Sequence, residues 1–238
     1  MIKKAVILAG GLGTRLRSAI GDLPKPMADI SGKPFLEYLL DYLIENKITK
    51  TILSVGYKSQ IIINHFGKKY KSIDIEYSVE DEPLGTGGAI KKALCALEDD
   101  KEFFILNGDT FFDIALSKLL EFHIQKNALL TIALKQMTNC KRYGSVLLDS
   151  SNRIIGFKEK GSISDCLING GIYIINKRLF DLIDLPEKFS FEKDLLELYY
   201  KKLSFYGKNF DEYFIDIGVP EDYEKFKQEI KAYKSKKT

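Results

Sequence analysis

The chain has 238 residues, of which 45% are hydrophobic and 29% charged, a composition typical of a globular protein with a substantial core. Lys and Arg exceed Asp and Glu by 36 − 33 = 3, and a net charge of +3 is too small to indicate nucleic-acid binding. No apolar run reaches the length of a membrane span, and a strand-like pattern begins close to Met1, so we expect neither a membrane anchor nor a signal peptide.

In the first half of the chain, short apolar runs alternate with amphipathic stretches of helical length. The apolar runs predict buried strands at Ala5–Leu8, Thr51–Val55, Ile73–Val79 and Glu102–Leu106. The amphipathic stretches predict helices at Phe35–Ile44, Gln60–Tyr70 and Thr86–Leu97. This alternation, with short connections, predicts an α/β fold with a doubly wound, mainly parallel sheet and helices on both faces.

The second half of the chain has a different pattern. Strand-like runs separated by turn residues predict a small antiparallel β insertion at Leu129–Lys135, Gly144–Leu148, Ile154–Glu159 and Ile168–Ile175. Helical patterns return at Phe191–Lys202 and at Pro220–Tyr233, where proline occupies the first helical position. Since no linker or internal repeat interrupts the chain, we expect a single domain over residues 1–238, ending in a helix and a basic tail at 220–238.

The cysteines and histidines give no sign of a metal centre. Cys95, Cys140 and Cys166 are widely spaced without a CxxC pair, which predicts independent thiols and a cytoplasmic protein. His65 and His123 lie in amphipathic stretches with no second ligand nearby, so we assign neither of them to catalysis.

A glycine-rich loop, Ala9–Leu16, directly follows the first predicted strand. Its glycines allow backbone N–H groups to surround an anion, and Arg15 offers a planar fork for phosphate oxygens. A tight turn with a surface arginine would explain the same residues. The loop lacks the third glycine of the dinucleotide fingerprint GxGxxG and the Gly-Lys-Ser/Thr end of a P-loop.

The segment that follows the glycine loop contains Leu23-Pro24-Lys25-Pro26-Met27 and then Gly32-Lys33-Pro34. The two prolines fix the backbone around Lys25 and lower the entropy cost of presenting its charge. GGLGTRL followed by LPKPM resembles the N-terminal signature of the sugar nucleotidyltransferase family, and later motifs follow in the family's order. The resemblance implies a Rossmann-like nucleotidyltransferase fold that joins a nucleoside triphosphate to a sugar 1-phosphate and releases pyrophosphate.

By this resemblance, residues 1–128 are the nucleotide-binding half, and the segment EPLGTGGA is the family's base- and sugar-binding loop. An acidic loop with a helix cap at Thr86 would explain the same segment. The Glu80 carboxylate can accept hydrogen bonds from both N1–H and the N2 amine of guanine, which favours GTP over uracil or thymine nucleotides. Arg15, Lys25 and Asp109 are the implied catalytic residues. The implied nucleotide-binding residues are Leu8, Ala9, Gly10, Gly11, Gly13, Thr14, Glu80, Gly85 and Thr86.

Two aspartates are predicted to bind Mg²⁺. Asp109 ends a strand in Asn107-Gly108-Asp109, and Asp216 lies in Asp216-Ile217-Gly218-Val219-Pro220. Carboxylates at the edge of a sheet suit Mg²⁺, which takes hard oxygen ligands and bridges phosphates. Both aspartates match the metal-binding positions of the family, although a turn or cap role would explain each of them alone.

The resemblance assigns residues 129–219 to the sugar phosphate. In Phe157-Lys158-Glu159-Lys160-Gly161, glycine replaces the family's usual proline, which loosens the backbone beside Lys160. Glu192 and Asp194 are equally explained as a solvated helix start. The implied sugar-phosphate residues are Gly108, Tyr143, Gly144, Glu159, Lys160, Asn169 and Lys193.

The function implied by the resemblance is transfer of GMP from GTP, or of another nucleoside monophosphate, to a sugar 1-phosphate. The first choice of sugar is D-glycero-α-D-manno-heptose 1-phosphate, then mannose 1-phosphate, then an amino-sugar 1-phosphate with UTP. A catalytically idle subunit that binds nucleotide sugars remains an alternative, although Arg15, Lys25 and both aspartates are present. We expect no nucleic-acid or membrane partner, and a homo-oligomer remains open.

Overall fold

The computed structural model describes residues 2–97, 100–138, 140–159, 161 and 165–235. The strands are β1 (Lys4–Leu8), β2 (Asp29–Ile30), β3 (Lys33–Pro34), β4 (Lys50–Val55), β5 (Lys69–Tyr70), β6 (Ile73–Val79), β7 (Glu102–Asn107), β8 (Thr110–Phe112), β9 (Leu130–Met137), β10 (Ser145–Leu148), β11 (Ile154–Lys158), β12 (Cys166–Asn176), β13 (Phe205–Phe210) and β14 (Phe214–Asp216). The helices are α1 (Arg17–Ile20), α2 (Phe35–Glu45), α3 (Ser59–Phe66), α4 (Gly85–Ala93), α5 (Leu116–Gln125), α6 (Glu197–Tyr199) and α7 (Pro220–Ser235), with a π-helical turn at Phe191–Leu196.

The centre of the main sheet is parallel, in the order β6-β4-β1-β7. β1 lies in the middle and is apolar at every central position because both of its faces are covered. Val6 packs in one hydrophobic core, whereas Ile7 packs in the other, and both are fully buried. The continuous apolar run of β1 therefore reflects two cores, one on each face of the sheet.

The second half of the chain extends this sheet. β12 runs antiparallel to both β7 and β9, and β13 pairs in parallel with β9. β10 and β11 form an antiparallel pair at the edge, where β10 meets β12. The predicted α/β fold, with a mainly parallel mixed sheet and added antiparallel strands, is confirmed. The antiparallel region continues the main sheet through β12.

One predicted helix ends too late. Gln60–Tyr70 was expected to be helical, but α3 ends at Phe66 and β5 follows at Lys69–Tyr70. Gly67 stops the helix with a φ of 59°, and its N–H donates to the Ile63 carbonyl. Among the described residues, no helix is both long enough and apolar enough to cross a membrane.

The expectation of three independent thiols is wrong. Cys140 and Cys166 form a disulfide with their Cα atoms 6.4 Å apart, while Cys95 is an exposed free thiol. The two bonded cysteines are 26 residues apart in the chain. They meet because β9 and β12 pair antiparallel, with Met137 opposite Cys166.

Candidate active site

A cavity of about 490 Å³ opens at the carboxyl ends of the parallel strands β1, β4, β6 and β7. Parallel strands all finish at the same edge of a sheet, so the loops that follow them converge there. Ten of the predicted site residues line this cavity. They are Leu8, Ala9, Gly10, Gly11, Lys25, Glu80, Gly85, Thr86, Gly108 and Asp109.

The glycine-rich loop brings its backbone to the cavity and packs against Lys25. Gly13 has a φ of 59°, and a β-carbon added there would lie 3.3 Å from the Lys25 Cβ. A side chain at Gly13 would therefore be strained and would press on the lysine. Gly11 has open space where a side chain would project, so its backbone is accessible to a ligand. Thr14 and Arg15 are exposed and lie outside the cavity lining.

Lys25 and Asp109 form an ion pair inside the cavity. The Lys25 Nζ donates a hydrogen bond to the Asp109 carboxylate at 2.8 Å, and the lysine side chain is only 13% exposed. Lys25 lies in a short 3₁₀ turn, and its ammonium group is held by Asp109, two residues after the end of β7. The ion pair fixes the position of the lysine ammonium group in the cavity lining.

Asp216 is brought beside Asp109 by a two-stranded sheet. β8 and β14 pair antiparallel, and the Ile217 N–H donates to the Asp109 carbonyl at 2.9 Å. Burial and the Asp109 charge raise the pKa of Asp216 to about 6. Asp216 also accepts a hydrogen bond from the Gly218 N–H at 2.7 Å.

The two carboxylates fit a hard divalent cation. Both carboxylates are partly buried, and their negative charges repel each other. After burial, this repulsion is the second cause of the raised pKa of Asp216, and a bound cation would relieve it. Within the described residues, no cluster of three or more His, Cys, Asp or Glu side chains could ligate a metal. A cation held by Asp109 and Asp216 would therefore take most of its ligands from water and substrate phosphates, as Mg²⁺ does.

Glu80 directly follows β6 and lines the cavity. One carboxylate oxygen accepts from the Ser54 hydroxyl at 3.1 Å and the other from the Leu84 N–H at 3.0 Å. These contacts fix the carboxylate plane, and each oxygen keeps capacity for a further donor. The Glu80 carboxylate therefore lines the cavity in a fixed orientation and can accept further hydrogen bonds there.

The EPLGTGGA loop packs against Phe189, just before the π-helical turn Phe191–Leu196. The Phe189 carbonyl accepts from the Gly87 N–H at 3.0 Å, and the Phe189 N–H donates to the Leu84 carbonyl. A β-carbon on Gly87 would lie 2.0 Å from the Phe189 ring, so this glycine serves packing. Gly85 and Thr86, by contrast, line the cavity.

The FEKD segment meets the same loop, but through a different residue from the one predicted. Thr86 donates to the Glu192 carboxylate at 2.9 Å and accepts from the Phe191 N–H at 2.9 Å. Glu192 lines the cavity, whereas Lys193 is exposed and lies outside the lining. Glu192 is therefore more than a solvated residue at a helix start. Its partner Thr86 is distant in the chain, so no local sequence pattern reveals the contact.

The other predicted sugar-phosphate residues lie outside the cavity lining wherever the structure describes them. The Asn169 amide donates to the Tyr173 hydroxyl at 2.8 Å. The Tyr143 ring packs against that of Phe214, two residues before Asp216, with centroids 6.2 Å apart. Burial and then the Asp216 charge raise the pKa of Tyr143 to about 12. Gly144 and Glu159 are exposed, and Lys160 lies outside the described residues. The described residues of this group do not line the cavity, so their roles stay predictions.

The rest of the lining consists of residues that were not among the predicted site residues, although several of them belong to the quoted motifs. Leu12, Pro26, Ser54, Gly56, Tyr57, Asp81, Pro83, Ala89, Asn107 and Glu192 complete the cavity. Asn107 was visible as part of Asn107-Gly108-Asp109, and Ser54 and Tyr57 stand near the end of β4, where a sheet-edge argument would find them. Both histidines lie outside the lining: His65 is exposed, and His123 is buried with Nδ1 2.7 Å from the Thr131 hydroxyl.

Comparison with known proteins agrees with this geometry. Residues 4–232 match the family described as Nucleotidyl transferase. The chain is 52% identical to D-glycero-alpha-D-manno-heptose 1-phosphate guanylyltransferase of Aneurinibacillus thermoaerophilus, with 97% of this chain and 99% of that protein covered. The protein of the same description from Campylobacter jejuni is 51% identical, with 94% and 98% covered.

A solved structure shows the same architecture. HddC from Yersinia pseudotuberculosis, complexed with GMP-PN, superposes with a TM-score of 0.84 at 40% identity, with 96% of this chain and 100% of that chain covered. The cavity at the parallel strand ends, the paired aspartates and the match over almost the whole chain lead to one conclusion: this protein belongs to the nucleotidyl transferase family.

Proposed function

We propose that this protein transfers GMP from GTP to D-glycero-α-D-manno-heptose 1-phosphate, giving GDP-heptose and pyrophosphate. The observation that carries the proposal is the identity of 52% over 97% of the chain to a guanylyltransferase for that sugar phosphate. The cavity supports it, since Lys25, Asp109 and Glu80 share one lining. In this proposal residues 1–128 hold the nucleotide, and residues 129–219 hold the sugar phosphate.

The proposed base contact is made by Glu80. Its carboxylate is held by Ser54 and by the Leu84 N–H, so its acceptor lone pairs have a defined direction in the cavity. Guanine presents adjacent N1–H and N2–H donors that a carboxylate accepts together, whereas uracil and thymine present no such pair. Glu80 therefore favours GTP over UTP and dTTP.

The chemistry needs no general base. A sugar 1-phosphate is already anionic near neutral pH, and its oxygen attacks the α-phosphorus in line as pyrophosphate leaves. Lys25 lies in the cavity and would offset charge around the α-phosphate, while Arg15 at the exposed loop would grip the outer phosphates. Binding in a fixed orientation and neutralising charge are the tasks of these residues.

Asp109 and Asp216 would hold Mg²⁺. Bound there, the cation supplies positive charge that offsets repulsion between the two anionic substrates. The protein's own part is to hold the two carboxylates side by side, through the pairing of β8 with β14 and the Ile217 N–H bond to Asp109.

The test is a substrate panel read by pyrophosphate release. The purified protein with Mg²⁺ is given GTP, ATP, UTP or CTP, each with the heptose 1-phosphate, mannose 1-phosphate or an N-acetylamino-sugar 1-phosphate. The expected result is highest kcat/KM for GTP with the heptose phosphate. Preference for mannose 1-phosphate would replace the sugar assignment, and absence of pyrophosphate release from every pair would favour a nucleotide-sugar-binding subunit.

A further inference from the structure

Glu192 is held between the two halves of the site by contacts on both sides. Phe191 is buried and its ring meets the Tyr173 ring edge-on, with centroids 5.1 Å apart. The Ser190 hydroxyl accepts from the Lys193 N–H and so begins the helical turn. Because the backbone is fixed on both sides, the carboxylate of the intervening Glu192 is directed into the cavity lining.

The Glu192 carboxylate is only partly used by the protein. Its Oε2 accepts from the Thr86 hydroxyl at 2.9 Å and from the Ser190 hydroxyl at 3.3 Å. In the described part of the chain, no Lys or Arg forms an ion pair with it, and Oε1 has no hydrogen-bond donor. A half-buried carboxylate with a free oxygen at a cavity wall is an acceptor that a ligand donor can satisfy.

The surroundings of Glu192 indicate which ligand reaches it. The ring of Phe191, the residue before Glu192, packs against the Tyr173 ring with centroids 5.1 Å apart, and the Glu192 charge adds to burial in raising the pKa of the Tyr173 phenol. That phenol accepts a hydrogen bond from the Asn169 amide, and Asn169 is a predicted sugar-binding residue. A carboxylate repels phosphate and accepts from hydroxyls, so it suits the polyhydroxylated ring of the sugar substrate.

We propose that Glu192 is a specificity-determining residue that accepts hydrogen bonds from hydroxyls of the sugar ring of the sugar 1-phosphate. The inference rests on the proposed function, because it assigns part of the same site. Oε2 stays with Thr86 and Ser190, and Oε1 receives the sugar hydroxyl. Glu192 thereby joins the nucleotide loop to the sugar that is to be attached.

The first experiment compares Glu192→Gln with the unaltered protein. The amide keeps the shape of the side chain but loses the charge, so KM for the sugar 1-phosphate is expected to rise about tenfold to a hundredfold. KM for GTP is expected to stay within about twofold of its original value. Glu197→Gln is the matched control, since Glu197 is exposed on the following helix and is expected to leave both constants unchanged.

The second experiment separates recognition from a structural role. Sugar 1-phosphates that each lack one ring hydroxyl are compared in the two proteins. Loss of the hydroxyl bound by Glu192 is expected to lower kcat/KM about tenfold in the unaltered protein and less than about twofold in Glu192→Gln. If Glu192→Gln fails to fold, Glu192→Asp, shorter by one methylene, is expected to show the same loss of discrimination.

Three results would overturn the inference. A rise in KM for GTP with unchanged KM for the sugar phosphate would place Glu192 at the ribose or base. Equal penalties for every deoxy sugar in both proteins, or unchanged KM for the sugar phosphate, would show that Glu192 reads no sugar hydroxyl. Absence of turnover by the unaltered protein would instead refute the proposed function, so the two failures are distinguishable.

Discussion

Replacing Lys25 with methionine is expected to abolish most of the turnover without unfolding the protein. Methionine keeps the length and most of the apolar stem of the lysine, which is 87% covered, since the side chain is only 13% exposed. What is lost is the ammonium group 2.8 Å from Asp109. In the proposed reaction that charge stabilises the α-phosphate as the oxygen attacks.

The magnitude of the loss follows from the position of the charge. Removing one preorganised contact to a developing negative charge costs about 2.7–4 kcal/mol, or roughly a hundredfold to a thousandfold in kcat. The loss in folding stability is much smaller. Asp109 is 34% exposed, so its ion pair is partly screened by water and contributes on the order of 1 kcal/mol or less.

The assay is steady-state pyrophosphate release, with thermal unfolding measured on the same samples. Lys33→Met is the matched control, because Lys33 follows the same signature region but is 49% exposed and faces Asp41 at 4.0 Å. It is expected to retain full kcat. The reasoning would be refuted if Lys25→Met kept more than about a tenth of kcat, or if Lys33→Met lost as much activity.

Three further predictions concern stability. Gly87→Ala is expected to lower the free energy of unfolding by about 1–3 kcal/mol, because its β-carbon would lie 2.0 Å from the Phe189 ring. The loss would appear as a lower midpoint in urea unfolding, and an unchanged midpoint would contradict this packing. Burial lowers the pKa of His123 to about 4, so the folded protein keeps it neutral while the unfolded chain protonates near 6.5. The contribution of His123 to the free energy of unfolding is therefore fully present above pH 6.5 and is expected to fall by about 3 kcal/mol towards pH 4. In acid titrations of stability, His123→Gln is expected to remove this loss. His65→Gln, at an exposed site, is the control and is expected to keep it. Reducing the Cys140–Cys166 disulfide is expected to cost about 3–4 kcal/mol in denaturant unfolding, because it frees a loop of 26 residues; identical curves with and without dithiothreitol would disprove it.

The main strands and helices follow from the sequence because their signals are local. The pattern at Ile73–Val79 alternates with period two and coincides with β6, and the helix predicted at Phe35–Ile44 differs from α2 by one residue. β13 has no comparable signal, because its sequence FYGKNF places a glycine, a lysine and an asparagine between its apolar residues. Its partner strand β9 also lies far away in the chain. Gly67 ended α3 early although the apolar spacing continued beyond it.

The candidate site was also predicted from the sequence only in part. Lys25 and Asp109 stand in short sequence signatures, and both reach the cavity. Lys193 was chosen over Glu192 because a phosphate was expected at the FEKD segment, yet the π-helical turn exposes Lys193 and directs Glu192 to the lining. The direction of each side chain depends on the helical turn, which residue types alone do not define.

By itself, the sequence determined the α/β class, the order of the elements and the family signatures, because periodicity and glycine or proline spacing act over about a dozen residues. Only the tertiary structure decided which distant groups meet. Thr86 and Glu192 are 106 residues apart, and Asp216 reaches Asp109 through a strand pair of three residues on each side. Such contacts arise from the close packing of the whole chain, which selects one pairing among many that the local patterns allow.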